Sequence, residues 1–137
     1  MIYSGTFDVS ESAGLWTLQV PGGALIPPLT AQANPPILPA WDAPSRLDRT
    51  QDAQITWNPE GLTDADRLAV VVGQNGILNY LECRAPGNAG SLTLPARYLK
   101  GLPQSDNAFI GLAVSGGSVA GHIFKYRLIS TARVSLQ

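Results

Sequence analysis

The sequence predicts an all-β fold, and three observations carry that prediction. Apolar and polar residues alternate along several segments, turn-forming residues separate those segments, and only one short stretch has helical character. Alternation with a period of two is typical of strands that bury one face. The 14 glycines and 11 prolines among 137 residues favour short strands joined by turns. We therefore expect a β-sandwich of about seven to nine strands.

Alternation defines the strands in the first half of the chain. Two segments show it, GLWTLQV and DAQITW, and their inward sets are Trp16, Leu18, Val20 and Ala53, Ile55, Trp57. Between these segments, residues 21–44 are rich in proline and lack periodicity. We expect an extended connection there, with room for one edge strand, because proline cannot donate a hydrogen bond to a ladder.

A continuously apolar segment, LAVVVG at 68–73, predicts a strand that is buried on both faces. The QNG sequence that follows it is a hairpin signal. The next segment, ILNYLECR, has Ile77, Leu81 and Cys83 on the inward side and Glu82 and Arg84 on the other. We expect these two segments to pair as a hairpin.

One short helical turn is predicted near residues 96–101, within the segment PARYLKGLP. Pro95 suits the start of a helix, and Gly101 and Pro103 suit its end. The segments SLTLP and FIGLAVS on either side alternate or are apolar, so both are predicted strands.

The most regular alternation lies at the C-terminal end of the sequence. The inward set contains Phe124, Tyr126, Leu128, Ser130, Ala132, Val134 and Leu136. The cations Lys125, Arg127 and Arg133 share the opposite face. This segment is longer than the usual strand of about 5–6 residues, so we expect a bulge or a bend in it.

Charge and composition restrict the partners and the compartment. The net charge is −1 and the nine cations are scattered, whereas nucleic acid binding needs clustered Lys and Arg. No apolar run approaches the ~20 residues of a membrane-spanning helix. We expect neither nucleic acid binding nor membrane insertion. Because the start, MIYSGTFDVSES, lacks a secretory signal, the chain is either cytosolic or a module of a longer secreted chain. We expect 1–137 to be a single domain, excised from or C-terminal in such a longer chain.

Cys83 is the only cysteine, so an intrachain disulfide is excluded. A nucleophilic thiolate needs an adjacent base, and the only histidine is His122. Alternation places both residues on apolar faces. We expect Cys83 to be an inert core residue, because burial raises the pKa of a thiol. The alternative is a Cys83–His122 catalytic pair.

The acidic residues predict a solvated loop. The segment NPEGLTDADRL carries Glu60, Asp64 and Asp66, and its Asp-x-Asp is a candidate calcium contributor, although calcium takes about six to eight oxygens. No pair of carboxylates can be nominated for glycoside hydrolysis. The sequence contains neither a nucleophile elbow nor a phosphate-binding glycine loop. We expect no enzyme activity, no catalytic residue, no metal and no cofactor.

The tryptophans are the candidate ligand-binding residues, because an exposed aromatic face suits a pyranose ring. Trp16 and Trp57 alternate inward and are predicted core residues. Trp41 lies in the proline-rich segment LPAWDAPS, where it either forms an exposed platform or closes one end of the sandwich.

Several motifs between residues 47 and 114 resemble a family of uncharacterised domains from the C-terminal ends of secreted acidobacterial (Solibacter-like) proteins. The family pattern has an N/D-R-x-Q segment before an I/V-T-W strand, an aromatic-x-C-x-A-P, an A-G-x-[F/L]-T-[I/L/V]-P and a turn ending in L-P. The matching residues are Asp48, Arg49, Gln51, Thr56, Trp57, Cys83, Ala85, Pro86, Ala89, Gly90, Thr93, Pro95, Leu102 and Pro103. Leu81 stands where the pattern has an aromatic residue. The resemblance implies an extracellular β-sandwich and a secreted or cell-surface location, with no activity attached.

Together these observations predict an immunoglobulin- or fibronectin-III-like module without catalytic activity. Its expected role is structural, in assembly or in adhesion, and its expected partners are other domains of the same or neighbouring chains, including copies of itself. The alternative is a carbohydrate-binding module that uses an exposed aromatic residue such as Trp41.

Overall fold

The computed structural model describes residues 16–24, 27–33, 38–74, 79–116 and 126–137. Within them lie nine strands, one 3-10 turn and one short helix: β1 (Trp16–Val20), β2 (Leu29–Ala33), β3 (Arg46–Leu47), β4 (Ala53–Thr56), β5 (Arg67–Gln74), β6 (Tyr80–Pro86), the 3-10 turn (Gly87–Ala89), β7 (Ser91–Leu94), α1 (Ala96–Leu99), β8 (Ser105–Gly116) and β9 (Tyr126–Leu136). The all-β class is confirmed, and α1 lies where the helical turn is predicted.

The chain divides into two compact units, one of residues 1–35 and 118–123, the other of residues 36–117 and 124–137. In the first unit, β1 and β2 form an antiparallel pair with Trp16 opposite Ala33. β2 lies in the proline-rich stretch, where the sequence leaves room for an edge strand.

The second unit contains a five-stranded sheet with the order β3-β9-β8-β5-β6. Its neighbouring strands are antiparallel, except that β3 runs parallel to β9. β5 and β6 pair as the hairpin signal predicts, while residues 75–78 of the turn lie outside the described residues. Residues 68–73 of β5 are buried throughout, which confirms the prediction of a strand covered on both faces.

One face of this sheet forms the core. The second unit also contains an antiparallel pair of β4 and β7. Ile55 and Leu94 of that pair belong to the same buried cluster as Val70 and Leu112 of the large sheet. Leu99 of α1 is fully buried in this cluster too. Burial of these apolar side chains, at roughly 25 cal/mol per Å², is the main force that holds the layers together.

On the opposite face of the sheet, large side chains cover glycines of the neighbouring strand. A Cβ on Gly73 would lie 3.0 Å from the ring of Phe109, and one on Gly111 would lie 2.9 Å from Cδ1 of Ile129. A glycine inside a strand permits this close approach. The two glycines therefore leave room for the side chains of Phe109 and Ile129 close to the backbone of the neighbouring strand.

The alternation predicted for the C-terminal strand is confirmed where β9 is described. Val134 and Leu136 are buried, whereas Ile129 is 45% exposed. The predicted irregularity lies in the partner strand, where Ser105 to Ala108 of β8 face only Leu136 to Val134 of β9. Phe124 and Lys125 lie outside the described residues, as do the side chains of residues 126–128.

Candidate functional site

Trp57 joins the segment after β4 to the turn between β6 and β7. Its buried indole Nε1–H donates to the carbonyl of Gly87 at 2.7 Å, and its backbone N–H donates to the carbonyl of Gly90 at 2.9 Å. Its exposed fraction is 5%, which confirms the prediction that it is a core residue. Gly87 fits closely here, because an added Cβ would lie 3.0 Å from Cβ of Asp66 and 3.1 Å from Cβ of Leu62.

Trp41 lies next to Trp57, and the two backbones form an antiparallel bridge. The bridge is extended by the backbone N–H of Asn58, which donates to the carbonyl of Ala40 at 2.9 Å. The Trp41 side chain is half-buried and packs against the edge of the core. Backbone pairing and packing therefore hold Trp41 at the edge of the core, while the residue stays partly exposed.

A surface depression of about 290 Å³ surrounds Trp41. Its lining consists of Ala40, Trp41, Asp42, Thr56, Trp57 and Asn58. The polar side chains of Asp42, Thr56 and Asn58 are all exposed. They come from the loop before β3 and from the end of β4, which the bridge at Trp41 and Trp57 brings side by side. We call this feature the Trp41 depression.

Arg49 joins three separate parts of the chain. Its guanidinium Nη1–H donates to the carbonyl of Leu102 at 2.6 Å, and its backbone N–H donates to the carbonyl of Gln137 at 2.9 Å. Because a charged donor makes a stronger hydrogen bond than a neutral one, Arg49 holds the loop after β3 against the loop after α1.

Three aspartates serve as acceptors for backbone N–H groups. Oδ1 of Asp48 accepts from the N–H of Thr50 at 2.8 Å, and Oδ1 of Asp52 accepts from the N–H of Ala96, the first residue of α1, at 2.7 Å. Oδ2 of Asp66 accepts from the N–H and the hydroxyl of Thr63 at 2.7 and 2.8 Å. The hydroxyl of Thr50, which donates to Oδ1 of Asp48 at 2.7 Å, and the N–H of Thr50 lower the pKa of Asp48. The N–H and the hydroxyl of Thr63 lower the pKa of Asp66. The carboxylates therefore shape loops.

Cys83 lies on the core-facing side of β6, as predicted. It is opposite Val70 of β5 and packs against the edge of the core with Leu81 and Ala85. Its thiol is partly rather than fully buried. Burial raises its pKa, and the neighbouring charge of Glu82 raises it further.

We expect the native thiol of Cys83 to react slowly with iodoacetamide. A raised pKa lowers the thiolate fraction at any pH below it, and the thiolate is the reactive form. At pH 8 the alkylation rate should be lower in the native chain than in urea, where the thiol is exposed and has its ordinary pKa. The raised pKa also makes stability depend on pH, because the folded state favours the neutral thiol. The contribution of Cys83 to the free energy of unfolding is present below the ordinary pKa of a thiol and is lost as the pH rises through the raised pKa of the native state. Mass spectrometry measures the rate, and faster native labelling would contradict this placement.

His122 lies outside the described residues. The alternative of a Cys83–His122 catalytic pair therefore stays a prediction. Within the described part of the chain, no three His, Cys, Asp or Glu side chains lie close enough to share a metal ion. In the same ranges, no helix has the length and apolar character required to cross a bilayer.

Comparison with models of known protein families, with curated proteins and with solved structures gave no match for this chain.

Proposed function

We propose that this chain is a non-catalytic extracellular module, of the immunoglobulin- or fibronectin-III-like sandwich type, in a secreted or surface-attached bacterial protein. Its role is structural: it transmits mechanical load between neighbouring domains while remaining folded. Its partners are other domains of the same or neighbouring chains. Among the described strands, β6 lies at an edge of the five-stranded sheet, where a further strand could pair.

The observation that carries this proposal is the attachment of β3 to the end of β9. Three backbone hydrogen bonds join the two segments in sequence. The N–H of Ser135 donates to the carbonyl of Ser45 at 2.9 Å, that of Gln137 to Leu47 at 3.0 Å, and that of Arg49 to Gln137 at 2.9 Å. We call these three bonds the terminal clamp.

Because β3 and β9 run parallel, the terminal clamp resists a force that pulls the two strands along their length. A force that pulls Ser45 away from Gln137 loads β3 just before its first residue and β9 just beyond its last. The two strands are then drawn past each other along their length, so the evenly spaced bonds of a parallel pair are sheared together. Bonds that share a load resist it better than bonds that open one at a time.

Three polar side chains support a structural role, because each forms a hydrogen bond with a backbone group of the protein. The Arg49 guanidinium, the Trp57 indole and the Asp52 carboxylate each bind a backbone group at least 30 positions away in sequence. Such contacts hold a fold in one conformation. They also coincide with residues of the pattern that resembles an extracellular family, Arg49, Trp57 and Leu102.

Single-molecule force spectroscopy tests the proposal. In a Cys83→Ala background, one variant carries attachment points at Ser45→Cys and Gln137→Cys, and a second carries them at Gln104→Cys and Gln137→Cys. The second pair pulls β8 and β9 apart from their shared end, where Ser105 lies opposite Leu136, so the antiparallel ladder opens one bond at a time. We expect a higher unfolding force for the first variant at the same loading rate, since forced unfolding is governed by the barrier along the pulling direction.

Equal unfolding forces along the two directions would contradict a load-bearing role for the terminal clamp. Turnover of an ester, glycoside, phosphoester or peptide substrate by the purified chain would contradict the non-catalytic assignment. A urea unfolding curve of each attachment variant, without force, serves as the control for altered stability.

A further inference from the structure

We propose that the Trp41 depression binds a sugar ring of a neutral polysaccharide. This inference concerns a different surface from the terminal clamp and stands or falls separately from the load-bearing role. It rests on three properties of the depression: a fixed and partly exposed indole, unengaged polar groups around it, and a rigid base.

The indole supplies the apolar contact that a pyranose needs. The face of an aromatic ring is electron-rich, so it attracts the polarised C–H groups on the flat side of a sugar. Trp41 is half-buried and anchored by its backbone bridge to Trp57. Little conformational entropy is therefore lost when a ligand contacts it.

The polar groups around the indole have hydrogen-bonding capacity left over. Among the bonds of the described residues, the Trp41 indole N–H, the Asp42 carboxylate and the Thr56 hydroxyl have no partner. Oδ1 of Asn58 accepts from the N–H of Glu60 at 3.0 Å, which orients the amide and leaves its NH2 group available. The indole N–H, the Asn58 NH2 group, the Asp42 carboxylate and the Thr56 hydroxyl thus offer donors and acceptors together in the depression, which matches the mixed donors and acceptors of adjacent sugar hydroxyls.

Trp57 also lines the depression, but its hydrogen-bonding capacity is already used within the protein. The indole N–H of Trp57 is bonded to Gly87, and its ring belongs to the core. Trp57 therefore fixes the position of the site without contributing a free polar group. A single exposed ring also argues against a quaternary ammonium ligand, which is recognised by a cage of several aromatic rings.

The experiment combines acrylamide quenching of tryptophan fluorescence with isothermal titration calorimetry on the whole chain. The probes are cellohexaose, xylohexaose, mannohexaose and chitohexaose. We expect one of them to bind and to protect a quenchable tryptophan. Trp41→Ala should weaken that binding at least about tenfold, the size of loss typical of a central aromatic anchor.

Two shape-conserving variants keep the test informative if Trp41→Ala alters the loop. Asp42→Asn and Thr56→Val change exposed groups that hold no other part of the chain, and each should weaken binding by about fivefold to tenfold. Tyr80→Ala removes an aromatic ring that is 62% exposed and outside the depression, and it should leave binding unchanged. The proposal is overturned if none of the four oligosaccharides binds, or if binding survives in Trp41→Ala, Asp42→Asn and Thr56→Val alike.

Discussion

Replacing Trp57 by alanine should lower the free energy of unfolding by about 3–5 kcal/mol, the range for removing a buried large aromatic side chain. Trp57 is 5% exposed and packs in the core of the second unit. The substitution opens a cavity there and also removes the donor to the carbonyl of Gly87. We expect a lower midpoint of urea unfolding. Far-UV circular dichroism should monitor the transition, because the variant lacks one of the fluorescent tryptophans.

Trp57→Phe separates the packing of this side chain from its hydrogen bond. Phenylalanine fills most of the volume but lacks the N–H, so a buried carbonyl loses its partner at a cost of about 1–3 kcal/mol. Tyr80→Ala is the control, since an exposed ring should change stability by no more than about 0.5 kcal/mol. If Trp57→Ala and the control shifted the midpoint equally, Trp57 would not stabilise the contact between the segment after β4 and the turn at Gly87.

Arg49→Met should destabilise the chain by about 1–3 kcal/mol, the range for a hydrogen bond from a charged donor. Methionine keeps most of the apolar stem but cannot donate to the carbonyl of Leu102. Part of the loss is offset, because Nε of Arg49 is buried without a protein partner and its removal relieves that penalty. Urea unfolding measures the change.

Two variants define the cause of this destabilisation. Arg49→Lys restores a charge but not the planar fork of the guanidinium, so it should recover only part of the loss. Arg46→Met is the matched control on the neighbouring strand, because the Arg46 side chain is exposed and should tolerate replacement within about 0.5 kcal/mol. An Arg49→Met variant as stable as Arg46→Met would show that the contact with Leu102 contributes nothing.

Alternation predicted the faces of β4, β7 and β9 well, for a physical reason. When one face of a strand is buried and the other is solvated, apolar and polar residues alternate along the sequence with a period of two. The buried Ile55, Leu94 and Val134 all fall on predicted inward positions. β3 could not be found in this way, since a strand of two residues has no period.

The site residues were harder to predict because they depend on contacts between distant segments. The hydrogen bond from Trp57 to Gly87 spans 30 positions and that from Arg49 to Leu102 spans 53. Asp42, Thr56 and Asn58 were missed for the same reason: the bridge of Trp41 and Trp57 brings them together. The only available signal was local, since each lies next to one of these two tryptophans in sequence.

Pulling the Cys83→Ala chain through Ser45 and Gln137, with and without Arg49→Met, tests the load-bearing role most directly. Arg49→Met removes a side-chain contact but keeps the backbone N–H that donates to Gln137. We expect the variant to lose equilibrium stability while the force along this direction stays above the force measured through Gln104 and Gln137. A chain that unfolds at the same force in both directions, before and after the substitution, would contradict a mechanical function for the terminal clamp.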